Sequence, residues 1–503
     1  MESQTEGVCP VCRERATLKC SGCKQQFYCN KDHQREDWPR HRSACKVWEI
    51  HENPDLGRHL LASRDLSPGD LIVSESPLVW GPALHTDQRV CVGCGKQCVS
   101  TSTRCNICLW PACRPDCPGL IDKNRHGLEC LLLVRGKVVP RFVLLYTYTG
   151  CDVLLVVRML ILWRKKSKQW AALQKLQSHD DSRGPGTTAY EEAMNICQHL
   201  ERFLLENPAG KDIVCKICGL IDVNALETMP PEGSVAIYET ACLLEHSCLP
   251  NTRHSFVIDS KGRPRITVTA LCPIKKGDHL STMYTHALWA TIARRAHLLE
   301  TKYFSCRCER CVDPTELGTH LGTLKCPQDD GFILPQDPLD FESEWKCDSC
   351  PGILKASEVA QFTGNDSLGS FSFLTEQTNL FAPTPTCRIF HTWNTLCCYT
   401  GSPYNCSTTG KGVAVYEILK PELCKRIIET TRTLDPNGAR LALYTAVVLR
   451  ELSTCPGEDE KRLLSEALTL LRFEPPNSAG EKLRNLIETE YAAKHGVEMT
   501  LSV

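Results

Sequence analysis

Metal-ligand residues occur in the same order twice within the first 130 residues of the chain. Each set holds two close Cys pairs, then a pair with three residues between its members, and then a His and a Cys with that same spacing. Thiolate and imidazole are the ligands that tetrahedral zinc prefers, and a close pair can bind one ion from a tight turn. Four pairs per set therefore predict two zinc ions per module. The two sets are Cys9, Cys12, Cys20, Cys23, Cys29, His33, His41 and Cys45, and Cys91, Cys94, Cys105, Cys108, Cys113, Cys117, His126 and Cys130.

The composition favours reduced, metal-bound thiols over a secreted disulfide scaffold. The chain has 503 residues, enough for roughly three domains, and 33 cysteines. Its start, MESQTEGVCPVC, has neither the basic nor the apolar segment of a signal peptide. We therefore expect the cytoplasm, the nucleus or both. The 58 basic and 59 acidic residues give a net charge of −1, so no direct binding to nucleic acid is predicted.

One apolar stretch, residues 142–163, is long enough to cross a bilayer. It contains Gly150, Asp152 and Arg158. A charged side chain at the centre of a membrane helix costs about 3 kcal/mol on insertion scales. The stretch is therefore predicted to form a pair of buried helices, and no membrane association is predicted.

The order of ligands in both sets resembles the MYND finger, a small cross-braced zinc module that binds peptides. In that family the first pair shares an ion with the third pair, and the second pair with the fourth. Gln34 and Trp38 match residues that line a groove for proline-containing peptides, but packing of Trp38 into the small core is an equally open alternative. The ligand sets implied by the resemblance are Cys9, Cys12, Cys29 and His33; Cys20, Cys23, His41 and Cys45; Cys91, Cys94, Cys113 and Cys117; and Cys105, Cys108, His126 and Cys130.

Four further segments follow in the order of a SET domain. They read LGRHLLA at 56–62, EHSCLPN at 245–251, STMYT at 281–285 and KYFSCRCERC at 302–311. Because a finger interrupts this succession after its first strands, the chain resembles the SET-and-MYND (SMYD) protein-lysine methyltransferases. Its extra N-terminal finger resembles the insect SmydA branch. The resemblance implies S-adenosylmethionine as cofactor and about five structural zinc ions.

The fold class predicted from this resemblance is α+β. A β-rich SET domain is interrupted by a MYND finger and a helical insert. An extra finger precedes it, and a helical domain of TPR-like hairpins follows it. The predicted boundaries are 1–48 for the first finger, 55–312 for the SET domain with its post-SET zinc cluster, 91–130 for the inserted finger, 131–232 for the helical insert, 313–366 for a degenerate zinc-ribbon-like linker, 367–411 for a disordered loop and 412–503 for the helical domain.

Methyl transfer from a sulfonium to lysine is an in-line displacement that needs a neutral amine, although the pKa of free lysine is about 10.4. An apolar channel favours the neutral amine, and a tyrosine hydroxyl can orient it. Tyr284 matches the essential tyrosine of the family, while Tyr303 and Phe304 match aromatic walls of the lysine channel. Tyr284 and Tyr303 are the predicted catalytic residues. The predicted cofactor contacts are Gly57, Arg58, Asn224, Leu244, Glu245, His246 and Phe304.

Two residues depart from the family pattern at the predicted cofactor site. His59 replaces the second glycine of a G-x-G motif, and a side chain there is expected to crowd the pocket. Glu245 replaces an asparagine, so it can accept from the ammonium group of the cofactor but repels its carboxylate.

Two function classes stay open. One is a monomeric protein-lysine methyltransferase that acts on histone or other protein lysines. The other is a weak or inactive zinc scaffold that recruits protein partners, including proline-containing peptides, for example in transcriptional regulation.

Cysteines outside the fingers predict further metal chemistry. Cys326, Cys347 and Cys350 resemble a zinc ribbon that lacks one ligand. Asp329 stands at the position where a second close Cys is expected. A ribbon with bound zinc and a ribbon without zinc both stay open. The pair Cys215 and Cys218 has no second pair nearby and is not predicted to bind metal. The resemblance joins Cys248, Cys306, Cys308 and Cys311 around one structural ion, and the ribbon cysteines are Cys326, Cys347 and Cys350.

Overall fold

The structure is a computed structural model, in which the chain divides into two units. One unit comprises Met1–Glu245 and Thr252–Leu280, and the other comprises His246–Asn251 and Ser281–Val503. Both contain helices and strands, and the predicted α+β class is confirmed. The described residues are 6–20, 26–54, 56–84, 90–98, 103–122, 125–138, 153–201, 210–228, 233–260, 262–363, 410–472, 474 and 478–495.

A three-stranded antiparallel sheet contributes its buried face to the main core of the first unit. Its middle strand, Pro264–Ala270, lies between Leu71–Glu75 and Thr252–Ile258. Buried and half-buried residues alternate along this middle strand, and Ile266 and Val268 are fully buried. Apolar residues at every second position produce this pattern, because successive side chains of a strand point to opposite faces.

A separate strand pair carries the segment that resembles the family's G-x-G motif. Gly57–Ala62 pairs with Trp48–Asn53 along its whole length. On its other edge, Ala62 N–H donates to Asp278 C=O at 2.9 Å. The turn that brings Asp278 there contains Gly277 at φ +89°, a conformation that glycine adopts without a Cβ clash. The turn at 276–278 thus places the residues that follow it alongside the strand.

The first unit also contains short strands and seven α-helices among its described residues. A second three-stranded sheet comprises Val79–Pro82, Ser234–Ile237 and Leu226–Thr228. The N-terminal finger has the strands Gly7–Val8, Arg15–Ala16, Leu18–Lys19 and Phe27–Tyr28. The α-helices are Lys31–Cys45, Pro118–Ile121, His126–Arg135, Val153–Arg164, Lys168–Leu173, Thr188–His199 and Gly210–Asn224, the first of them in the finger.

The described part of the long apolar stretch forms the helix Val153–Arg164. Its side chains from Val153 to Ile161 are buried, which agrees with the buried-helix interpretation. Residues 142–152 of the stretch lie outside the described residues. Among the described residues, no helix is long and apolar enough to span a membrane.

The second unit joins short strands to a helical region. A four-stranded antiparallel sheet follows chain order. Its strands are Leu324–Lys325, Phe332–Pro335, Trp345–Cys347 and Ile353–Leu354. The other elements are the strand Ser281–Thr282 and the helices Thr291–Lys302, Glu309–Val312, Ala356–Thr363, Gly410–Leu434, Ala442–Ser453, Glu460–Leu471 and Ala479–His495. The strand Glu245–His246 contains the point where the chain passes between the units.

The last four helices pack around an apolar core of their own. An apolar stripe on Glu460–Leu471 is buried there. Ser478 Oγ accepts from Glu481 N–H at 3.1 Å, which is one half of a capping box at the start of the last helix. The predicted disordered loop falls almost entirely on residues 364–409, outside the described residues. The stripe residues are Leu463, Leu464, Ala467, Leu468 and Leu471.

Candidate active site and metal centres

The second finger brings its eight predicted ligands together as two clusters. Ligands that bind zinc at about 2.3 Å in a tetrahedron lie about 3.8 Å apart. In each cluster the ligand atoms lie within 4.8 Å of one another. The spacings therefore fit two zinc ions. The shortest distances are 3.8 Å for Cys91–Cys117, 3.6 Å for Cys94–Cys113, 3.7 Å for Cys105–Cys130 and 3.2 Å from Cys108 Sγ to His126 Nε2.

The first finger brings together Cys9, Cys12, Cys29 and His33, again with all ligand atoms within 4.8 Å. Asn30 caps the finger helix by accepting from His33 N–H at 2.8 Å, and this places His33 on the first turn. Of the other predicted set, Cys20 and Cys45 lie 3.8 Å apart. His41 is buried, and Cys23 lies outside the described residues.

A third kind of cluster lies in the second unit and joins Cys248 to the CRCERC segment. The four thiols lie within 4.8 Å of one another, and Cys248 Sγ lies 3.5 Å from Cys311 Sγ. All four ligand positions are filled by protein, which is typical of a structural zinc site. The members are Cys248, Cys306, Cys308 and Cys311.

A buried ion pair supports the second finger from outside its ligand set. His126 Nδ1 lies 3.0 Å from Glu129 Oε1, so Glu129 orients the ring whose Nε2 faces the cluster. Arg158 donates to both carboxylate oxygens of Glu129, at 2.7 and 2.8 Å. Burial alone would raise the pKa of Glu129, but Arg158 and His126 hold that pKa below its usual value. The carboxylate is therefore charged in a fully buried position.

Arg158 also fixes the finger to the strand before it. Its guanidinium donates to the C=O groups of Trp80 and Val92, each at 2.8 Å. Gly81 leaves room for this side chain, since a Cβ at that position would lie 3.2 Å from Arg158 Nη1. The charge in the apolar stretch thus has a structural role inside the protein.

A buried Arg–Glu–Arg group lies against the Cys248 cluster. Arg294 Nε donates to Cys248 Sγ at 3.1 Å, and its Nη2 donates to Cys311 Sγ at 3.5 Å. Glu316 accepts from Arg294 at 2.7 Å and from Arg310 at 3.0 Å. Burial acts to raise the pKa of Glu316, but the two guanidinium groups hold that pKa below its usual value. The group supplies net positive charge beside the thiols.

The same cluster positions the predicted catalytic tyrosine. Tyr284 N–H donates to His246 Nδ1 at 3.0 Å, and His246 Nε2 lies 3.3 Å from Cys248 Sγ. Burial lowers the pKa of His246 to about 4, so the ring is neutral. Because Nδ1 accepts a hydrogen bond, the proton is on Nε2, where it can be donated to the Cys248 sulfur.

Aromatic rings surround this tyrosine. The Tyr284 ring lies 5.3 Å from that of His246 and 6.5 Å from that of Phe304, the latter in an edge-to-face arrangement. The His246 and Phe304 rings lie 5.9 Å apart. Tyr303 ends the helix Thr291–Lys302 in a left-handed conformation with φ +61°. The structure thus brings three predicted site residues together, with Tyr303 adjacent in sequence.

In the first unit, the two residues that depart from the family pattern lie close to one shared neighbour, His279. The His59 ring stacks on the His279 ring at 4.9 Å with an interplanar angle of 3°. His279 Nδ1 lies 2.9 Å from Glu245 Oε2. Among the described residues, apart from Gly57 and its two neighbours in the chain, no atom lies within 4 Å of the position that a Cβ would take on Gly57, which has φ +62°. His59 is buried against His279 and leaves that space open.

The other predicted cofactor contacts of the first unit are engaged within the protein. Arg58 donates to Lys175 C=O at 2.6 Å. Asn224 ends a helix, and its side-chain N–H groups donate to Gln177 C=O at 2.7 Å and Leu220 C=O at 2.9 Å. Leu244 is buried. A direct contact of Asn224 with a cofactor would therefore involve its side-chain oxygen.

The two residues predicted for peptide binding differ in their surroundings. Trp38 is 43% exposed and lies outside the buried core of the finger. The side chain of Gln34 instead donates to Cys20 Sγ at 3.5 Å. Tyr28, which is in that core, donates to Asp37 at 2.9 Å. Exposure of Trp38 favours the groove interpretation over packing into the core.

The CxxC pair that was not predicted to bind metal lies on the helix Gly210–Asn224. Burial raises the pKa of Cys218 well above its usual value, and burial also raises the pKa of nearby Cys197 to about 12. Burial also raises the pKa of Cys215, so it favours the protonated thiol at both members of the pair.

Comparison with known proteins identifies both kinds of module. The MYND finger model matches residues 9–45, and the SET domain model matches residues 57–285. The chain thus contains the two modules that define the SET-and-MYND family.

Relatives of this SET-and-MYND protein come from animals and plants. SET domain-containing protein SmydA-8, isoform B, of Drosophila melanogaster is 28% identical over 63% of this chain and 69% of its own length. Histone-lysine N-methyltransferase ASHR1 of Arabidopsis thaliana is 23% identical over 62% of this chain and 65% of its own. N-lysine methyltransferase SMYD2 of Homo sapiens is 22% identical over 60% of this chain and 50% of its own length. The predicted family and its SmydA-like character are confirmed.

Sequence reasoning on this SET-and-MYND protein missed the residues that support the clusters. Arg158 is a charged residue in an apolar run of the sequence, and such a charge indicates a buried partner. Most contacts of the other supporting residues join positions that are distant in sequence, which no local pattern marks. These residues are Glu129, His279, Arg294, Arg310 and Glu316.

Glu129→Ala should weaken zinc binding at the Cys105, Cys108, His126 and Cys130 cluster by about 10- to 100-fold, because His126 loses its orienting carboxylate. The variant should also be less stable by about 3–5 kcal/mol, because Arg158 is left buried without its partner. Chelator competition with zinc quantified by mass spectrometry measures the first effect, and urea unfolding measures the second.

Two further variants separate these effects. Adding Arg158→Met to Glu129→Ala should restore much of the stability while zinc binding stays weak. Asp116→Ala is the control, since this side chain is 80% exposed in the same finger. Zinc affinity of Glu129→Ala equal to that of the unmodified protein would contradict the role assigned to Glu129.

Proposed function

We propose that this protein is an S-adenosylmethionine-dependent protein-lysine N-methyltransferase that acts on histone or other protein lysines. The SET domain and the similarity to lysine methyltransferases support the reaction class. The observation that carries the proposal is the attachment of Tyr284, through His246, to the buried Cys248 cluster. A tyrosine held by its backbone at a rigid centre keeps its ring in a defined place, as transition-state alignment requires.

The aromatic residues suit the handling of a lysine side chain. Rings of Tyr284 and Phe304 provide apolar surface near each other, and such surface disfavours the charged ammonium form of lysine. The Tyr284 hydroxyl can accept from the neutral amine and orient its lone pair. Tyr303 is proposed as a further wall of the lysine channel. S-adenosylmethionine supplies the methyl group as part of a sulfonium.

The cofactor residues remain those predicted by the resemblance. Open space beside Gly57 supports a close approach of a ligand to the backbone there. The hydrogen bond between Glu245 and His279 satisfies a carboxylate that would otherwise repel the carboxylate of the cofactor. The residues proposed to hold the cofactor are Gly57, Arg58, Asn224, Leu244, Glu245, His246 and Phe304.

A second function, recruitment of protein partners, is supported by one observation. Trp38 is 43% exposed, and the buried core of the finger is formed by other residues. An exposed tryptophan can stack on proline rings with little loss of side-chain entropy. We propose proline-containing peptides as partners, a monomeric state, and action in the cytoplasm, the nucleus or both, including transcriptional regulation. A zinc scaffold without turnover is the alternative to the enzyme.

Tyr284→Phe should lower kcat for transfer of labelled methyl to protein lysines by about 10²–10³-fold, because it removes a hydroxyl that orients the amine. Zinc content and the unfolding midpoint should not change, since the backbone hydrogen bond to His246 is kept. Tyr190→Phe, on a helix of the first unit, is the matched control. Unchanged transfer by Tyr284→Phe would remove this hydroxyl from the mechanism.

His279→Ala should weaken binding of S-adenosylmethionine by about tenfold, which is about 1.4 kcal/mol, because Glu245 is left unpaired. Calorimetric titration of zinc-loaded protein measures the affinity. The double variant Glu245→Gln/His279→Ala should bind within about threefold of the unmodified protein, since the charge is gone as well. His51→Ala is the control, because His51 is paired with exposed Glu49. No binding by the unmodified, zinc-loaded protein would reject the enzyme and leave the scaffold.

Trp38→Ala should weaken binding of a proline-rich peptide by more than about 30-fold, in keeping with the loss of an aromatic hot spot of about 2 kcal/mol. Fluorescence polarisation of a labelled peptide measures binding, and zinc content should stay constant. Leu18→Ala is the control, since Leu18 is 39% exposed on the same finger. Equal loss in both variants would point to general damage of the finger.

A further inference from the structure

The four-stranded sheet between Leu324 and Leu354 contains two turns built to the same plan. The first turn reads CPQDDG from Cys326, and the second reads CDSCPG from Cys347. In each turn the N–H of the first Cys donates to the C=O of the glycine five residues later, at 3.0 Å and 2.9 Å. Asp329 therefore occupies in the first turn the position that Cys350 occupies in the second.

The ligand-type atoms of the two turns meet at one point. All four lie within 4.8 Å of one another. Cys326 Sγ lies 3.8 Å from Cys350 Sγ, and Cys347 Sγ lies 3.6 Å from Asp329 Oδ1. Zinc bound by sulfur at about 2.3 Å and by oxygen at about 2.1 Å would give tetrahedral edges of about 3.6–3.8 Å. These separations fit one shared ion.

Backbone donors stabilise negative charge on these ligands. Ser349 N–H donates to Cys347 Sγ, and Gly352 N–H donates to Cys350 Sγ, each at 3.4 Å. Gly331 N–H donates to Asp329 Oδ1 at 2.8 Å, which fixes the carboxylate towards the thiols. Such hydrogen bonds favour thiolate and carboxylate, which are the forms that bind a metal.

The apolar core of the sheet is too small to keep the sheet folded by itself. Two of the six buried residues are the cysteines themselves, and a small sheet of this kind normally needs a metal or disulfides to fold. A disulfide between Cys326 and Cys350 would need its sulfurs at about 2.05 Å, far closer than the observed distance. The buried residues are Leu324, Cys326, Ile333, Trp345, Cys347 and Val359.

We propose that Cys326, Asp329, Cys347 and Cys350 form a structural zinc site with three sulfur ligands and one oxygen ligand. The ion joins the two turns and holds the sheet together. Asp329 is a ligand in the place of a fourth cysteine. The site is independent of the proposed methyl transfer, because none of its residues belongs to the proposed substrate or cofactor contacts.

Zinc stoichiometry of the full chain tests the proposal. Asp329→Ala/Cys350→Ser should contain one zinc equivalent less than the unmodified protein by inductively coupled plasma mass spectrometry. Two controls should keep the full content: Asp330→Ala, at the neighbouring exposed carboxylate, and Cys215→Ser, in the helical CxxC pair. Full zinc content in the double variant would overturn the proposal, as would an intact Cys326–Cys350 disulfide in unreduced protein.

Asp329→Cys tests the identity of the fourth ligand even if the double variant fails to fold. The full chain loaded with Co²⁺ should show stronger sulfur-to-cobalt charge-transfer absorption in Asp329→Cys than in the unmodified protein, at equal metal content. The added thiolate accounts for the increase. An unchanged spectrum would show that position 329 does not contact the metal and would overturn the assignment of Asp329.

Discussion

Buried negative charge is the constraint that both units must satisfy. Four thiolates around a divalent zinc ion carry a net charge of −2, and an uncompensated charge is costly in a protein interior. In the second unit, Arg294 donates directly to two of the sulfurs, and Glu316 holds Arg294 and Arg310 in place. In the first unit, Arg158 neutralises a carboxylate that orients a ligand histidine. In both units a buried arginine stabilises a cysteine cluster.

The location of the proposed chemistry follows from this arrangement. His246 contacts Cys248 with one nitrogen and the backbone of Tyr284 with the other. A structural centre thereby holds the backbone of Tyr284 in place. The ring of Phe304 lies near both because Phe304 is two residues before the CRCERC segment. The geometry of the aromatic cluster therefore depends on the cysteine cluster that is predicted to bind zinc.

The metal ligands could be predicted because their information is local. Cysteine spacing within a turn is visible in any sequence, and even the substitution at Asp329 can be recognised from it. Partners far apart in the chain cannot be found this way: 29 residues separate Glu129 from Arg158, and 46 separate Cys248 from Arg294. His59 illustrates the same limit. The sequence shows a side chain in place of glycine, but only the pairing of strands reveals that His279 receives its ring.

The close approach of Gly81 to Arg158 has an evolutionary consequence. A Cβ at position 81 would lie 3.2 Å from Arg158 Nη1, so the guanidinium would have to shift by a few tenths of an ångström in the place where it pairs with Glu129. Glu129 in turn orients His126, so changes at these positions are coupled. In a set of homologous chains, residues 81, 126, 129 and 158 should vary as a linked group, with substitution of the arginine accompanied by loss of the acid.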